Sequence, residues 1–343
     1  MLALGLLALA GCGAPERQPS GSGAAGALPA YPPAATATPG DTSAFVPLAA
    51  GGGYPAPSAT ARTAPTSTAT PRTAPTSTAT PRSAPTSTAT PIATPRAAPT
   101  STPTAVPGQI WRPAPGTTWQ WQLTGLPVDL SVDAAMYDID LFDNDASVVT
   151  ALHARGRKAV CYISAGTWED WRPDAGQFPA SVKGSNVEGW PGERWLDIRN
   201  LTALGPIMEA RMDLCKSKGF DGIEPDNVDG YTNGTGFPLT AQDQLAYNRF
   251  LAGAAHKRGL SVGMKNDIDQ AAALQPAFDW AINEQCFQYD ECDALLPFIQ
   301  AGKAVFQAEY ELSVNEFCPQ ARQMRFSSIL KNIDLDAYRV SCD

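Results

Sequence analysis

Between residues 118 and 308 the chain alternates short apolar runs with longer mixed ones. The short runs predict strands at Thr118–Leu123, Ala135–Leu141, Ala159–Ser164, Trp195–Ile198, Gly222–Pro225, Ser261–Lys265, Trp280–Asn283 and Ala304–Ala308. Helix candidates lie between several of them, at Ala146–Arg155, Leu204–Lys218, Ala241–Lys257, Gln270–Gln275 and Ala294–Ala301. Arg157-Lys158, Lys218-Gly219 and Arg258-Gly259 mark helix ends with basic residues or glycine. Strand after helix after strand is the pattern of a parallel sheet. Eight such strands within Gln109–Asp343 favour a closed (β/α)8 TIM barrel over an open doubly wound sheet, and the segment is close to the ~250 residues usual for that fold.

Upstream the pattern vanishes. Gly13 to Gly108 is Ala, Thr, Pro, Ser and Gly, with a decapeptide repeating from Thr63 to Arg72, from Thr73 to Arg82 and again from Ser83. Such a stretch has too little apolar surface to form a core and is expected to be a disordered stalk. Fully extended it would reach roughly 300 Å, and as a flexible coil about 55 Å. Met1–Ala10 is apolar but too short to span a bilayer. Leu9-Ala10-Gly11-Cys12 looks like the lipobox of a bacterial lipoprotein, although no Lys or Arg precedes it. The expected division is a signal peptide with its lipobox over 1–12, a linker over 13–108 and the barrel over 109–343. Lipid on Cys12 would anchor the mature chain to a membrane outside the cytoplasm.

Cysteine usage fits that compartment. Besides Cys12 there are six: Cys161, Cys215, Cys286, Cys292, Cys318 and Cys342. An even set in an exported protein suggests disulfides, for which the expectation is Cys161 with Cys215, Cys286 with Cys292 and Cys318 with Cys342. The absence of a close Cys-x-x-Cys pair, with only His153 and His256 as histidines, argues against a metal site. Residues 13–108 hold five of the 25 basic and two of the 34 acidic residues, so the rest of the chain carries a net of −12. That sign disfavours nucleic acid and suits a cationic ligand.

The candidate chemistry sits at strand ends. In Gly219-Phe220-Asp221-Gly222-Ile223-Glu224-Pro225-Asp226-Asn227-Val228-Asp229-Gly230-Tyr231, Pro225 and the following turn stop a strand amid carboxylates. Alternation puts Glu224 and Asp226 on one face, and likewise Asp138 and Asp140. Tyr162 and Trp168, Asp197, Lys265 with Asn266, Glu284 and Glu309 fall at or just beyond other strand ends. Acids, amides and aromatic rings converging on the carboxyl rim suit a sugar, whose hydroxyls need paired donors and acceptors and whose ring faces stack on aromatics. Within Gln109–Asp343, Gly-x-Ser-x-Gly, a Rossmann fingerprint and a P-loop are absent, so no cofactor is expected.

Tyr137–Phe142, Ala159–Trp168, Trp195–Arg199, Gly219–Tyr231, Gly263–Asp267 and Ala281–Cys286, in this order, resemble the endo-α-1,4-polygalactosaminidase family of TIM-barrel glycoside hydrolases. The resemblance implies cleavage inside chains of α-1,4-linked galactosamine, with Asp226 as nucleophile and Glu284 as acid/base. A retaining mechanism then needs the two carboxyl groups ~5–5.5 Å apart, against ~6.5–9.5 Å for inversion. Glu224 is the rival nucleophile, its other reading being a carboxylate that orients Asn227 or Lys265. Asp138, Asp140 and Asp197 are expected to line the sugar-binding floor, Lys265 to be a buried counter-ion, and Tyr162, Trp168, Asp229, Tyr231 and Asn266 to contact substrate. The substrate would be a partly cationic polysaccharide and the enzyme a monomer. The competing readings are a barrel that binds glycan without cutting it and a glycosidase for another α-linked hexose or amino sugar.

Overall fold

The computed structural model describes residues 110–343; the readings on Cys12 and on the stalk lie outside them. In chain order the elements are β1 (Trp119–Gln122), β2 (Met136–Asp140), α1 (Ala146–His153), β3 (Lys158–Ser164), β4 (Thr167–Glu169), β5 (Lys183–Asn186), β6 (Glu193–Leu196), α2 (Leu201–Lys218), β7 (Gly222–Asp226), α3 (Ala241–Lys257), β8 (Ser261–Lys265), α4 (Ala271–Leu274), β9 (Trp280–Glu284), α5 (Leu296–Gln300), β10 (Val305–Glu309), α6 (Val314–Met324), β11 (Ser327–Leu330) and β12 (Val340–Ser341).

The main sheet runs β1-β2-β3-β7-β8-β9-β10-β11-β12, parallel throughout except for the antiparallel β12. It curls until its edges meet. The Trp119 indole donates to Ser327 O at 2.8 Å, the Arg339 guanidinium donates to Trp119 O at 2.7 Å, and the Leu123 N–H donates to Leu335 O at 2.8 Å. The result is the (β/α)8 barrel expected, with eight parallel strands.

Two placements differ from expectation. The run at Trp195–Ile198 is no barrel strand: it overlaps β6, the centre of a separate antiparallel sheet ordered β4-β6-β5 and inserted between β3 and α2. The eighth parallel strand is β11 instead. Its Ser327 and Ser328 are fully buried yet polar, so the segment carries no apolar run to announce it.

The core has two layers. Within the barrel, Trp119, Trp121, Met136, Val160, Trp280, Ile282, Phe306 and Ile329 pack together. Gly263 makes room there, since a Cβ would come 2.2 Å from the Trp280 ring. Between sheet and helices lies the larger layer, including Ile139, Ile163, Ile223 and Val262 from the strands and Leu204, Met208, Tyr247 and Leu251 from α2 and α3. Asn200 caps α2 by accepting from the Ala203 N–H, Gly219 ends it at φ 94°, and Thr240 with Asp243 form a capping box on α3. The three disulfides pair Cys161 with Cys215, Cys286 with Cys292 and Cys318 with Cys342, as expected. No described helix is long and apolar enough to cross a membrane.

Candidate active site

Three neighbouring strands stop together. β7, β8 and β9 end at Asp226, Lys265 and Glu284, and the next residues, Asn227, Asn266 and Gln285, take left-handed φ values of 60°, 46° and 63°. Such backbone costs most residues energy and concentrates at functional sites. The ladder between β7 and β8 registers only Gly222 and Ile223, so it has already ended where Pro225, lacking an N–H, would interrupt it. Backbone and side chains therefore turn outward at the carboxyl end of the barrel.

Lys265 is the hub. Its ammonium lies 2.8 Å from Asp226 Oδ1, 3.0 Å from Glu224 Oε1 and 3.2 Å from Glu284 Oε2, and 4.8 Å above the Trp121 ring. Burial alone would lower its pKa, but the charges of Asp226, Glu284 and Glu224 hold it well above the usual lysine range. Each outer carboxylate also receives a phenol: Tyr162 donates to Asp226 Oδ2 at 2.8 Å, and Tyr310 donates to Glu284 Oε1. Asn266 donates to Glu284 Oε2 at 3.1 Å, while its Oδ1 accepts the Glu284 N–H at 3.0 Å. Asp226 and Glu284 keep some exposure, with side chains 16% and 25% accessible, whereas Glu224 is at 0%.

Beneath this layer Asp138 and Glu224 form a wholly buried pair. Both oxygens of Asp138 and Oε2 of Glu224 have no other partner. Burial, reinforced by the Glu224 charge, drives Asp138 well above the ordinary carboxylate range, and burial raises Glu224 as well. Only Glu224 touches the ammonium, so the proton of the pair resides on Asp138.

On the other flank Asp229 is pushed up to about 6 by burial and the neighbouring Asp226. Asp267 is pushed up to about 8 by burial and Asp229, although Asn248 donates to it at 2.8 Å. Tyr231 lies beside Asp267, its phenol raised by burial and by that carboxylate. Toward the inserted sheet, the Asn227 amide donates to Ser164 at 3.0 Å, Thr167 at 3.2 Å and Glu193 at 3.3 Å. Burial pushes Glu193 up to about 7. Gly166 is pressed so closely on the Asn227 carbonyl that a Cβ would sit 1.5 Å from its oxygen.

Of the residues named from sequence, Asp226, Glu284, Glu224, Lys265, Tyr162, Asn266 and Asp229 gather around this cluster, with Tyr231 at its edge. Asp138 lies below it with no exposure, part of the buried foundation instead of a floor that sugar would touch. Asp140 is not brought in: the Arg172 guanidinium grips it at 2.7 and 3.0 Å, and the Phe142 and Asp143 N–H groups cap it. Asp197 is held by Arg199 at 2.7 Å. Trp168 donates its indole N–H to Ala175 O and has the Lys183 ammonium 3.8 Å from its ring centroid. Glu309 is buried, accepts the Phe287 N–H at 3.0 Å and is pushed up to about 7 by burial. His153 and His256 pair with Asp221 and Asp279, beside the starts of β7 and β9. Among the described residues no group of three or more His, Cys, Asp or Glu is placed to hold a metal ion. Sequence reasoning missed Tyr310 and Glu193; neither belongs to a spacing motif, and only Tyr310's place directly after a strand end hinted at a role.

Two partly exposed carboxylates facing one another across a shared lysine, at the carboxyl end of a (β/α)8 barrel, define a glycoside hydrolase. The chain belongs to glycoside-hydrolase family GH114, whose family model matches residues 100–343. It is similar to Aspergillus fumigatus Ega3, solved in complex with galactosamine, at 44% identity over 68% of this chain and 98% of that one, with a TM-score of 0.66. The glycoside hydrolase domain of PelA from Pseudomonas aeruginosa shares the fold at 13% identity and a TM-score of 0.53, over 66% of this chain and 98% of that one. No curated protein matches the sequence.

Proposed function

We propose that this glycoside hydrolase cleaves internally within α-1,4-linked galactosamine-containing polysaccharide, with Asp226 as nucleophile and Glu284 as acid/base. The observation that carries the reading is the Lys265 bridge. Asp226 Oδ1 and Glu284 Oε2 lie 2.8 and 3.2 Å from one nitrogen. Their nearest oxygens are therefore no more than about 6 Å apart, so both carboxylates reach one glycosidic bond. The course is retaining. Asp226 attacks the anomeric carbon while Glu284 protonates the leaving oxygen, and Glu284 then activates water to release the glycosyl group. Lys265, Tyr162 and Tyr310 orient the pair.

The substrate class rests on likeness and charge. Ega3, 44% identical, was solved with galactosamine. Around the reacting centre the ammonium of Lys265 is outnumbered by the carboxyl groups of Asp226, Glu224 and Asp229 even with Glu284 holding its proton, an acidic setting suited to an amino sugar left unacetylated.

The decisive experiment measures reducing ends released from partly deacetylated α-1,4-galactosamine polymer by the full chain, beside Asp226→Asn and Glu284→Gln. Release by the wild type with loss in both variants, and a first product that keeps the anomeric configuration, is expected. Release that survives either substitution, or an inverted first product, would overturn the assignment.

We also propose that the enzyme acts as a monomer tethered outside the cytoplasm by lipid on Cys12 and carried on the Pro/Thr/Ala-rich stalk. The Leu-Ala-Gly-Cys sequence supports the anchor, and three disulfides support the compartment. Partition into detergent that disappears with Cys12→Ser would test it.

A further inference from the structure

The turns of the inserted sheet carry two bare indoles. Trp171, just after β4, and Trp190, just before β6, are each 48% exposed, the most exposed aromatic side chains among the described residues. The turns that bear them lie side by side. β4 and β6 pair Glu169 with Glu193, and beyond that pair the Asp170 N–H donates to Gly192 O at 3.0 Å. Gly192, at φ 91°, packs against the Asp170 carboxylate so closely that a Cβ would come 2.8 Å from Oδ1. Asp170 and Glu188, both exposed, place a carboxylate next to or near each indole in the chain.

This sheet is fastened to the reacting centre. Thr167 of β4 and Glu193 of β6 both take hydrogen bonds from the side chain of Asn227, the residue after Asp226. The third tryptophan of the region, Trp168, is occupied: Lys183 covers a ring face and Ala175 takes its N–H. Trp171 and Trp190 are left as exposed aromatic surface on turns of the sheet that Asn227 holds, with exposed carboxylates near them in the chain.

We propose that Trp171 and Trp190, with the carboxylates of Asp170 and Glu188, form a distal subsite that holds amino-sugar units of the polymer away from the bond being cut. A sugar ring presents C–H groups to an indole face, and a free amine supplies the cation that the carboxylates pair with. The proposal rests on the galactosamine-polymer reading given above. It makes a separate claim about chain length: long chains reach the sheet, and short oligomers fill the cleft alone.

The test compares the full chain with Trp171→Ala/Trp190→Ala and with Trp171→Phe/Trp190→Phe. Binding of partly deacetylated polymer is measured on an Asp226→Asn background, and kcat/KM is measured on long polymer and on short oligomers. The alanine pair should weaken polymer binding and lower kcat/KM for long polymer by about tenfold, leave short oligomers within about twofold, and be largely rescued by the phenylalanine pair. Asp170→Asn/Glu188→Gln should weaken binding of deacetylated polymer while leaving fully acetylated polymer unaffected. Equal polymer binding in wild type and alanine pair, or an equal loss on long and short substrates, would overturn the proposal. If the wild type cleaves neither length, the functional reading fails; the binding comparison still decides whether the two tryptophans hold the polymer.

Discussion

The Lys265 ammonium lies 2.8 Å from Asp226 Oδ1 and in the same position reaches Glu284, so one buried cation sets the spacing of both reacting carboxylates. Lys265→Met would leave Glu224, Asp226 and Glu284 facing one another uncompensated. Removing one partner of a buried ion pair commonly costs about 3–5 kcal/mol, and a misplaced reacting group on the order of a hundredfold in rate. The expected outcome is a folded but markedly less stable protein with kcat down by at least about a hundredfold, read by thermal melts and reducing-end assays. Near-wild-type turnover would remove Lys265 from the machinery.

Asp138 and Glu224 are both buried acids, yet opposite outcomes are expected from their amides. Asp138 holds the proton, so Asp138→Asn keeps a donor toward Glu224 and should stay within about threefold of wild-type kcat. Glu224→Gln removes the charge that the Lys265 ammonium needs and should cost about tenfold or more. If Asp138→Asn proves the more damaging of the two, the proton has been assigned to the wrong carboxylate.

What was legible beforehand follows from how each residue announces itself. Gly222–Asp226 could be read as a strand ending in acids because Pro225 and the Asn227–Gly230 turn both stop a ladder. Trp195–Ile198 was misassigned because a four-residue apolar run looks alike in a parallel barrel and in an antiparallel insertion. β11 was missed because Ser327 and Ser328 fill a buried position with polar side chains, although the capping box of Ser313 and Glu316 marked the helix before it. Alternation correctly put Asp138 and Asp140 on one strand face but carries no information on depth. The first is sealed inside the barrel, and the second pairs with Arg172, a residue of the insertion. Tyr310 is marked by nothing but its place directly after a strand end, because a single phenol there forms no motif.

Tyr162 and Tyr310 each donate to a different reacting carboxylate, which allows the roles to be told apart kinetically. Tyr162→Phe frees the nucleophile, and its loss should fall on the first step, formation of the glycosyl-enzyme. Tyr310→Phe frees the acid/base, so its loss should shrink on substrates whose leaving group needs no proton. Each variant is expected to lower kcat about tenfold on polymer while the fold is kept. The reverse dependence on the leaving group would exchange the roles of Asp226 and Glu284.

Glu193, on the insertion, ties Asn227 to the sheet and makes stability depend on pH in a defined direction. Burial pushes its folded pKa up to about 7, as it does for Glu309, while Asp267 stands at about 8 and Asp229 at about 6. Because these folded values exceed the unfolded ones near 4, the native state binds more protons between them, and stability falls as pH rises across that window. The contribution is fully present below about pH 4 and lost through about pH 6 to 8. Lowered carboxylates such as Asp279 act in the opposite sense only at the acidic end, and Lys331, which burial lowers to about 8, does so only from about pH 8 upward. Thermal melts should show a higher Tm at about pH 5 than at about pH 8. Glu193→Gln should narrow that gap, raising stability at the higher pH by at most on the order of 3 kcal/mol and changing little at the lower. A Glu193→Gln variant with an undiminished gap would show that this carboxyl is not the proton-binding group the buried geometry requires.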